Sequence, residues 1–141
     1  WEKTTFLSII IIIKMERRLT KQRSEVLEYV KKVRTHPTAE MVFQEIKNKV
    51  PGITLATVYR NLHLLAESGD IRKLMINGEY HFDGFVKEHQ HFWCIKCNEV
   101  HDIEDNKLMN YTNNRMNERG FIVSEITLSG YCGLHNGKNN Y

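Results

Sequence analysis

The chain has 141 residues, of which 41% are apolar, and a formal net charge of +3. That length can bury one or two modest cores, which excludes a large multidomain enzyme. No secretory leader with a cleavage site is visible, and the apolar run Phe6–Ile13 is about half the length a membrane span needs. The expectation is a cytoplasmic protein with no membrane partner. The net charge hides an asymmetry: residues 15–75 sum to +5 and residues 76–141 to −3. A basic first half and an acidic, histidine-rich second half suit a polyanion partner and bound cations, respectively.

Residues 1–14 hold five consecutive isoleucines, and Met15 fits a natural start. This extension is sticky and β-prone, and no role is assigned to it. Thr20 caps a predicted helix running to about Val33, with Val26, Leu27, Val30 and Val33 on one face. His36-Pro37 interrupts, and Thr38 caps a second helix whose apolar positions run from Ala39 to Val50 before Pro51-Gly52. Thr54 caps a third, with Leu55, Val58, Leu62 and Leu65 as its buried stripe and Gly69 just past its end. Two strands, Ile71–Ile76 and Glu79–Phe82, flank Asn77-Gly78, a strong hairpin signal.

Three short helices and a hairpin make a winged helix, whose third helix has the dimensions of a major-groove reader. Its remaining face carries Thr57, Tyr59, Arg60 and Asn61, groups that bond phosphates and base edges. His63 also belongs to that surface. The second half reads as strand His91–Ile95, turn, strand Val100–Ile103, helix from about Asp105 to Arg119 ended by Gly120, and strand Phe121–Leu128. The fold class is α+β, with a winged helix over residues 15–83 and a small α/β unit over 84–141. The boundary lies near Asp83–Lys87, with Gly84 as its hinge.

Cys94-x-x-Cys97 and Cys132-x-x-His135 form two ligand pairs beside turns. Cys3His suits tetrahedral zinc, and four protein ligands make a closed structural site. A redox role for Cys94 and Cys97 is disfavoured because no thioredoxin-like βαβ context surrounds them. His89 and His91, two apart on an extended segment, point to one side. Joined by Asp102, they form an imidazole–carboxylate set suited to Fe(II), Mn(II), Zn(II) or Co(II). Spacing alone leaves His36 as a loop residue before a proline and Asp83 as a turn cap. His63, His81 and His101 read as non-ligands.

The strings Leu19-Thr-Lys-Gln-Arg23, His36-Pro-Thr-Ala-Glu40, Leu55-Ala-Thr-Val-Tyr-Arg-Asn-Leu62, Phe82-Asp83, His89-Gln-His-Phe-Trp-Cys-Ile-Lys-Cys97 and Asp102-Ile103 resemble the ferric uptake regulator family, in its order, from Arg17 to His135. The resemblance implies a homodimeric, metal-dependent DNA-binding repressor rather than an enzyme. Cys94, Cys97 and Cys132 match the family's structural-zinc cysteines, and His135 stands where a fourth cysteine is usual. His36, Asp83, His89, His91 and Asp102 match its regulatory site, which would take Fe(II) or Mn(II) and set the angle between the domains. Tyr59 and Arg60 fall in the helix that enters the groove of a pseudo-palindromic, A/T-rich operator. Aspartate at both 83 and 102 resembles the peroxide-responsive repressors, in which iron and H2O2 oxidise a liganding histidine, here His36 or His89. Iron-uptake regulators tend to carry glutamate there. A second, variable metal site of the family would fall at Glu88, Gln90, Met109 and Ser124, which are mostly not ligand-like. The alternatives are an iron- or zinc-uptake regulator, a 2-His-1-carboxylate iron enzyme or a zinc-ribbon interaction module. The enzyme lacks any sign of a substrate cavity, and the ribbon leaves the five-residue set unexplained.

Overall fold

The computed structural model describes residues 21–135. The extension 1–14, the capping residue Thr20 and the tail from Asn136 lie outside the described residues.

Helix α1 (Lys21–Lys32) buries Val26 and Val30, four apart on one face. Helix α2 (Ala39–Ile46) starts at Thr38, whose hydroxyl accepts a hydrogen bond from the Met41 amide at 3.3 Å. The expected run to Val50 ends at Ile46, and residues 47–50 continue as a turn and bend before Pro51. Val50 nonetheless stays buried, at the end of a turn. Helix α3 (Leu55–Glu67) is capped by Thr54, which accepts from the Thr57 amide at 3.2 Å. Gly69, at φ +78, ends it in the left-handed backbone that glycine enters without steric cost.

Strands β1 (Arg72–Ile76) and β2 (Glu79–Asp83) pair antiparallel. Asn77 at φ 50 and Gly78 at φ 80 give the two left-handed positions that a tight hairpin needs. The helices and hairpin close over one core that includes Val30, Val42, Ile46, Leu62, Leu65 and Phe82. Each such side chain, fully buried, contributes about 1.5–3 kcal/mol of transfer free energy.

The second half begins with β3 (Gln90–Cys94) and β4 (Val100–Ile103), an antiparallel pair. Helix α4 (Asn106–Asn117) follows, its first turn held by the Asp105 carboxylate, which accepts from the Lys107 and Leu108 amides. Strand β5 (Thr127–Gly130) then pairs parallel to β3, giving the sheet order β4-β3-β5.

Two further sequence expectations are corrected. The predicted strand Phe121–Leu128 lies instead at Thr127–Gly130. A parallel partner must be reached by a crossover, so residues 121–126 carry the chain back, and only the segment opposite His91–Cys94 finds ladder bonds. Ile122 is 94% exposed as a result. Gly84 is not a free hinge: a side chain there would bring a Cβ to 2.5 Å from Lys31 Cα and 2.6 Å from the Val30 carbonyl. The junction is packed hard against the end of α1.

Candidate metal centres

Among the described residues, two clusters of ligand-type side chains assemble. The first sits at one end of the three-stranded sheet. Cys94 ends β3 and stands in register with Gly130 of β5, so the β3–β4 turn bearing Cys97 and the segment bearing Cys132 and His135 emerge side by side. Cys97 and Cys132 Sγ lie 3.9 Å apart, and His135 Nδ1 is 3.1 Å from Cys132 Sγ and 4.0 Å from Cys94 Sγ. A zinc–sulfur bond of about 2.3 Å requires tetrahedral sulfurs about 3.8 Å apart, so the spacing fits that ion. Burial pushes the Cys94 thiol up, but the amides of Cys97, Cys132 and Lys96 outweigh it and bring it down to about 6. Ligand thiols must be deprotonated, a form these amides favour in Cys94. In Cys97 the Glu99 amide acts the same way, but burial and the Cys94 and Cys132 thiols outweigh it and push the thiol up to about 11.

The second cluster brings together His36, Asp83, His89, His91 and Asp102. His36 lies between α1 and α2, and Asp83 ends β2. His91 on β3 sits directly opposite Asp102 on β4, and His89 shares its side of the extended segment. His36 Nε2 is 2.7 Å from Asp102 Oδ1; His89 Nε2 is 3.1 Å from Asp83 Oδ2, 3.2 Å from Asp102 Oδ1 and 2.8 Å from His91 Nε2. One ligand atom from each of the five residues lies within 4.8 Å of all the others. The three histidines and Asp83 are almost wholly buried.

The chemistry of this set fits a divalent cation. His36 Nε2, Asp83 Oδ2 and Asp102 Oδ1 are buried and lack an aligned hydrogen-bond partner, a costly arrangement unless an ion satisfies them. His89 donates through Nδ1 to the Lys87 carbonyl at 2.7 Å, leaving its Nε2 lone pair for the cluster. Burial lowers the His36 pKa, against the pull of Asp102 and Asp83, and so favours the neutral imidazole that metals require. Asp83 is lowered as well: burial pushes it up, but His91, the Phe85 amide, His36 and His89 outweigh that effect.

The second half of the chain supplies every residue of the first cluster, whereas the second draws His36 and Asp83 from the winged helix. Residues 14–131 match the ferric uptake regulator family. The chain belongs to the ferric uptake regulator family. It is 31% identical to the peroxide operon regulator of Bacillus subtilis over 127 residues, 88% of each chain. It is 32% identical to the Staphylococcus epidermidis peroxide-responsive repressor PerR over 96 residues, 67% of this chain and 64% of that protein. The solved Campylobacter jejuni peroxide stress regulator aligns over 87% of this chain and 93% of its own, at 32% identity and TM-score 0.67. The Helicobacter pylori ferric uptake regulator shares the fold at TM-score 0.77 and 22% identity, over 99% and 95% of the two chains. The family's proteins are metal-dependent, DNA-binding, dimeric regulators.

In this family member, α3 exposes Arg60 to solvent and Thr57 and Tyr59 in part. The Tyr59 hydroxyl donates to Glu40 at 2.7 Å, a bond that holds the Glu40 carboxyl below and the phenol above their usual ranges. Asn61, expected on the outward face, is buried, and its side-chain oxygen accepts from Arg23 at 3.5 Å. Three residues after Val58 and four before Leu65, it falls inside the apolar stripe by helical periodicity. His101 points away from the cluster, on the far face of β4. Gln90 is buried, and its side chain accepts from the Asp105 amide.

Two residues near the second cluster escaped the sequence reading. His81, expected only as a non-ligand, is buried and donates through Nδ1 to the His36 carbonyl at 2.7 Å. That bond steadies His36 at φ 49, a left-handed backbone that costs a non-glycine residue roughly 1–3 kcal/mol. Its place on β2, opposite Leu74 and bridged to Thr38, is a tertiary fact with no local signal. The other is Arg34, just past α1.

Proposed function

We propose that this chain is a peroxide-responsive, homodimeric repressor that acts in the cytoplasm, is not an enzyme, and uses residues 15–83 for DNA and 84–141 for dimerisation. Cys94, Cys97, Cys132 and His135 hold a structural zinc. His36, Asp83, His89, His91 and Asp102 hold the regulatory Fe(II) or Mn(II). Thr57, Tyr59 and Arg60 face a pseudo-palindromic operator, expected to be A/T-rich.

The observation that carries this reading is the convergence of three imidazoles and two carboxylates from both halves of the chain on one buried point. A cation bound there favours the one arrangement of the halves in which all five side chains meet, and hence one spacing of the two α3 helices in a dimer. Aspartate at both carboxylate positions, together with the relatives named above, supports the peroxide-responsive subtype. When bound, iron supplies the redox chemistry by which hydrogen peroxide delivers one oxygen atom to an imidazole ring and leaves as water. The chain's own part is to hold His36 and His89 at the site and to exclude bulk water from it.

Iron-loaded protein exposed to micromolar H2O2 is expected to gain one oxygen on His36 or His89 and to leave its operator. Manganese-loaded protein is expected to stay bound and unmodified. Peptide mass spectrometry beside a DNA-binding assay reads both. An iron-loaded protein that keeps its operator, with both histidines intact, is a metal-uptake regulator instead. Arg60→Ala should weaken operator binding by roughly 1–3 kcal/mol if Arg60 reads a base, with metal content unchanged.

A further inference from the structure

Each carboxylate of the five-residue cluster divides its two oxygens between the protein and the site. Asp83 accepts the Phe85 amide on Oδ1 at 2.7 Å and turns Oδ2 inward. Asp102 turns Oδ1 inward, and its Oδ2 meets Arg34 Nη1 at 3.2 Å. The Arg34 guanidinium lies 4.1 Å from the Phe85 ring centroid, and that ring packs on His89 at 5.0 Å between centroids. Phe85 therefore serves both carboxylates: its amide fixes one, and its ring seats the cation that fixes the other.

Building on the reading of this cluster as a divalent-cation site, we propose that Arg34 is a positioning residue that limits Asp102 to one inward oxygen. The set then offers three nitrogens and two oxygens, one donor short of an octahedron. Arg34 is 59% exposed, and an exposed ion pair adds little to stability. Its effect falls on orientation, because the guanidinium is planar, stacked and permanently charged. With Oδ2 engaged, the Asp102 carboxylate is hindered from rotating into two-oxygen coordination. The same positive charge, close to the site, also opposes a bound cation.

The test uses the full-length, zinc-loaded protein with Mn(II) as the probe. Arg34→Met keeps an apolar stem over Phe85 and removes both charge and fork, and Arg34→Lys keeps a charged donor. Arg34→Met is expected to bind Mn(II) roughly three- to tenfold tighter, as the repulsion goes and a second oxygen becomes free. Its Mn(II) electron paramagnetic resonance spectrum should show a changed zero-field splitting, which a residue with a merely structural role would leave alone. Arg34→Lys should fall between Arg34→Met and the parent in both measurements, because it keeps the charge but not the planar, stacked fork. An unchanged splitting in Arg34→Met, or Mn(II) binding no tighter than the parent's, overturns the role of Arg34. If the parent itself binds no more Mn(II) than His89→Ala does, the cation-site reading fails, and this inference with it.

Discussion

The two clusters are built from overlapping stretches of chain yet differ in what they can do. The cysteine cluster draws on two turns at one end of one sheet, so an ion there ties that sheet end together without joining the two halves of the chain. The histidine–aspartate cluster takes His91 and Asp102 from neighbouring strands of that sheet, but Asp83 and His36 from the winged helix. Only the second draws its side chains from both halves. Strand β3 serves both, with His91 in one cluster and Cys94 in the other. A sheet end held by an ion at Cys94 would give His89 and His91 a rigid base, to which the winged helix adds His36 and Asp83.

This contrast is most open to attack at the cysteines. Cys132→Ser should release zinc and abolish the dimer, since structural zinc contributes about 10–16 kcal/mol of apparent binding free energy to small domains. Metal analysis with analytical ultracentrifugation checks it, and a dimeric, zinc-loaded variant would show that the cluster is not a closed structural site. His91→Ala should do the opposite, keeping zinc and the dimer while Mn(II) affinity falls by at least about tenfold to a hundredfold. Loss of zinc in that variant would mean that the two clusters are one cooperative unit.

Gly84→Ala tests the junction. A Cβ forced against the backbone of Val30 and Lys31 should cost about 1–3 kcal/mol, seen in denaturant unfolding, and should weaken Mn(II) binding by shifting Asp83 relative to His89. Unaltered stability would mean that α1 can give way.

The smallest effect expected is on pH dependence in zinc-loaded protein without the regulatory metal. His36 has a folded pKa below 6.5, so the unfolded chain takes up its proton first. Stability should therefore fall as pH drops below 6.5 and level off below the folded pKa. Asp83, lowered from 3.8, adds a second loss only below that value. His36→Gln should flatten the upper limb in urea melts at successive pH values; an unchanged limb would assign it to another group.

Features resting on local chemistry were legible in the residues themselves. Thr38 and Thr54 cap their helices, Asn77-Gly78 turns the hairpin, and His89 and His91 share a side, because caps, turns and strand alternation depend on neighbours a few positions away. The pairing of Cys94-x-x-Cys97 with Cys132-x-x-His135 was legible too, since each knuckle is itself a local unit. Family resemblance, rather than spacing, linked His36 and Asp83 to the other three. Tertiary structure alone decided the rest. It buried Asn61, moved the last strand to the segment opposite β3, and pressed Gly84 onto α1. It also set His81 under the His36 carbonyl and Arg34 on Asp102, 68 residues away. Those contacts join side chains far apart in sequence, and no periodicity within one element specifies which distant backbone or carboxylate a side chain will meet when the layers pack.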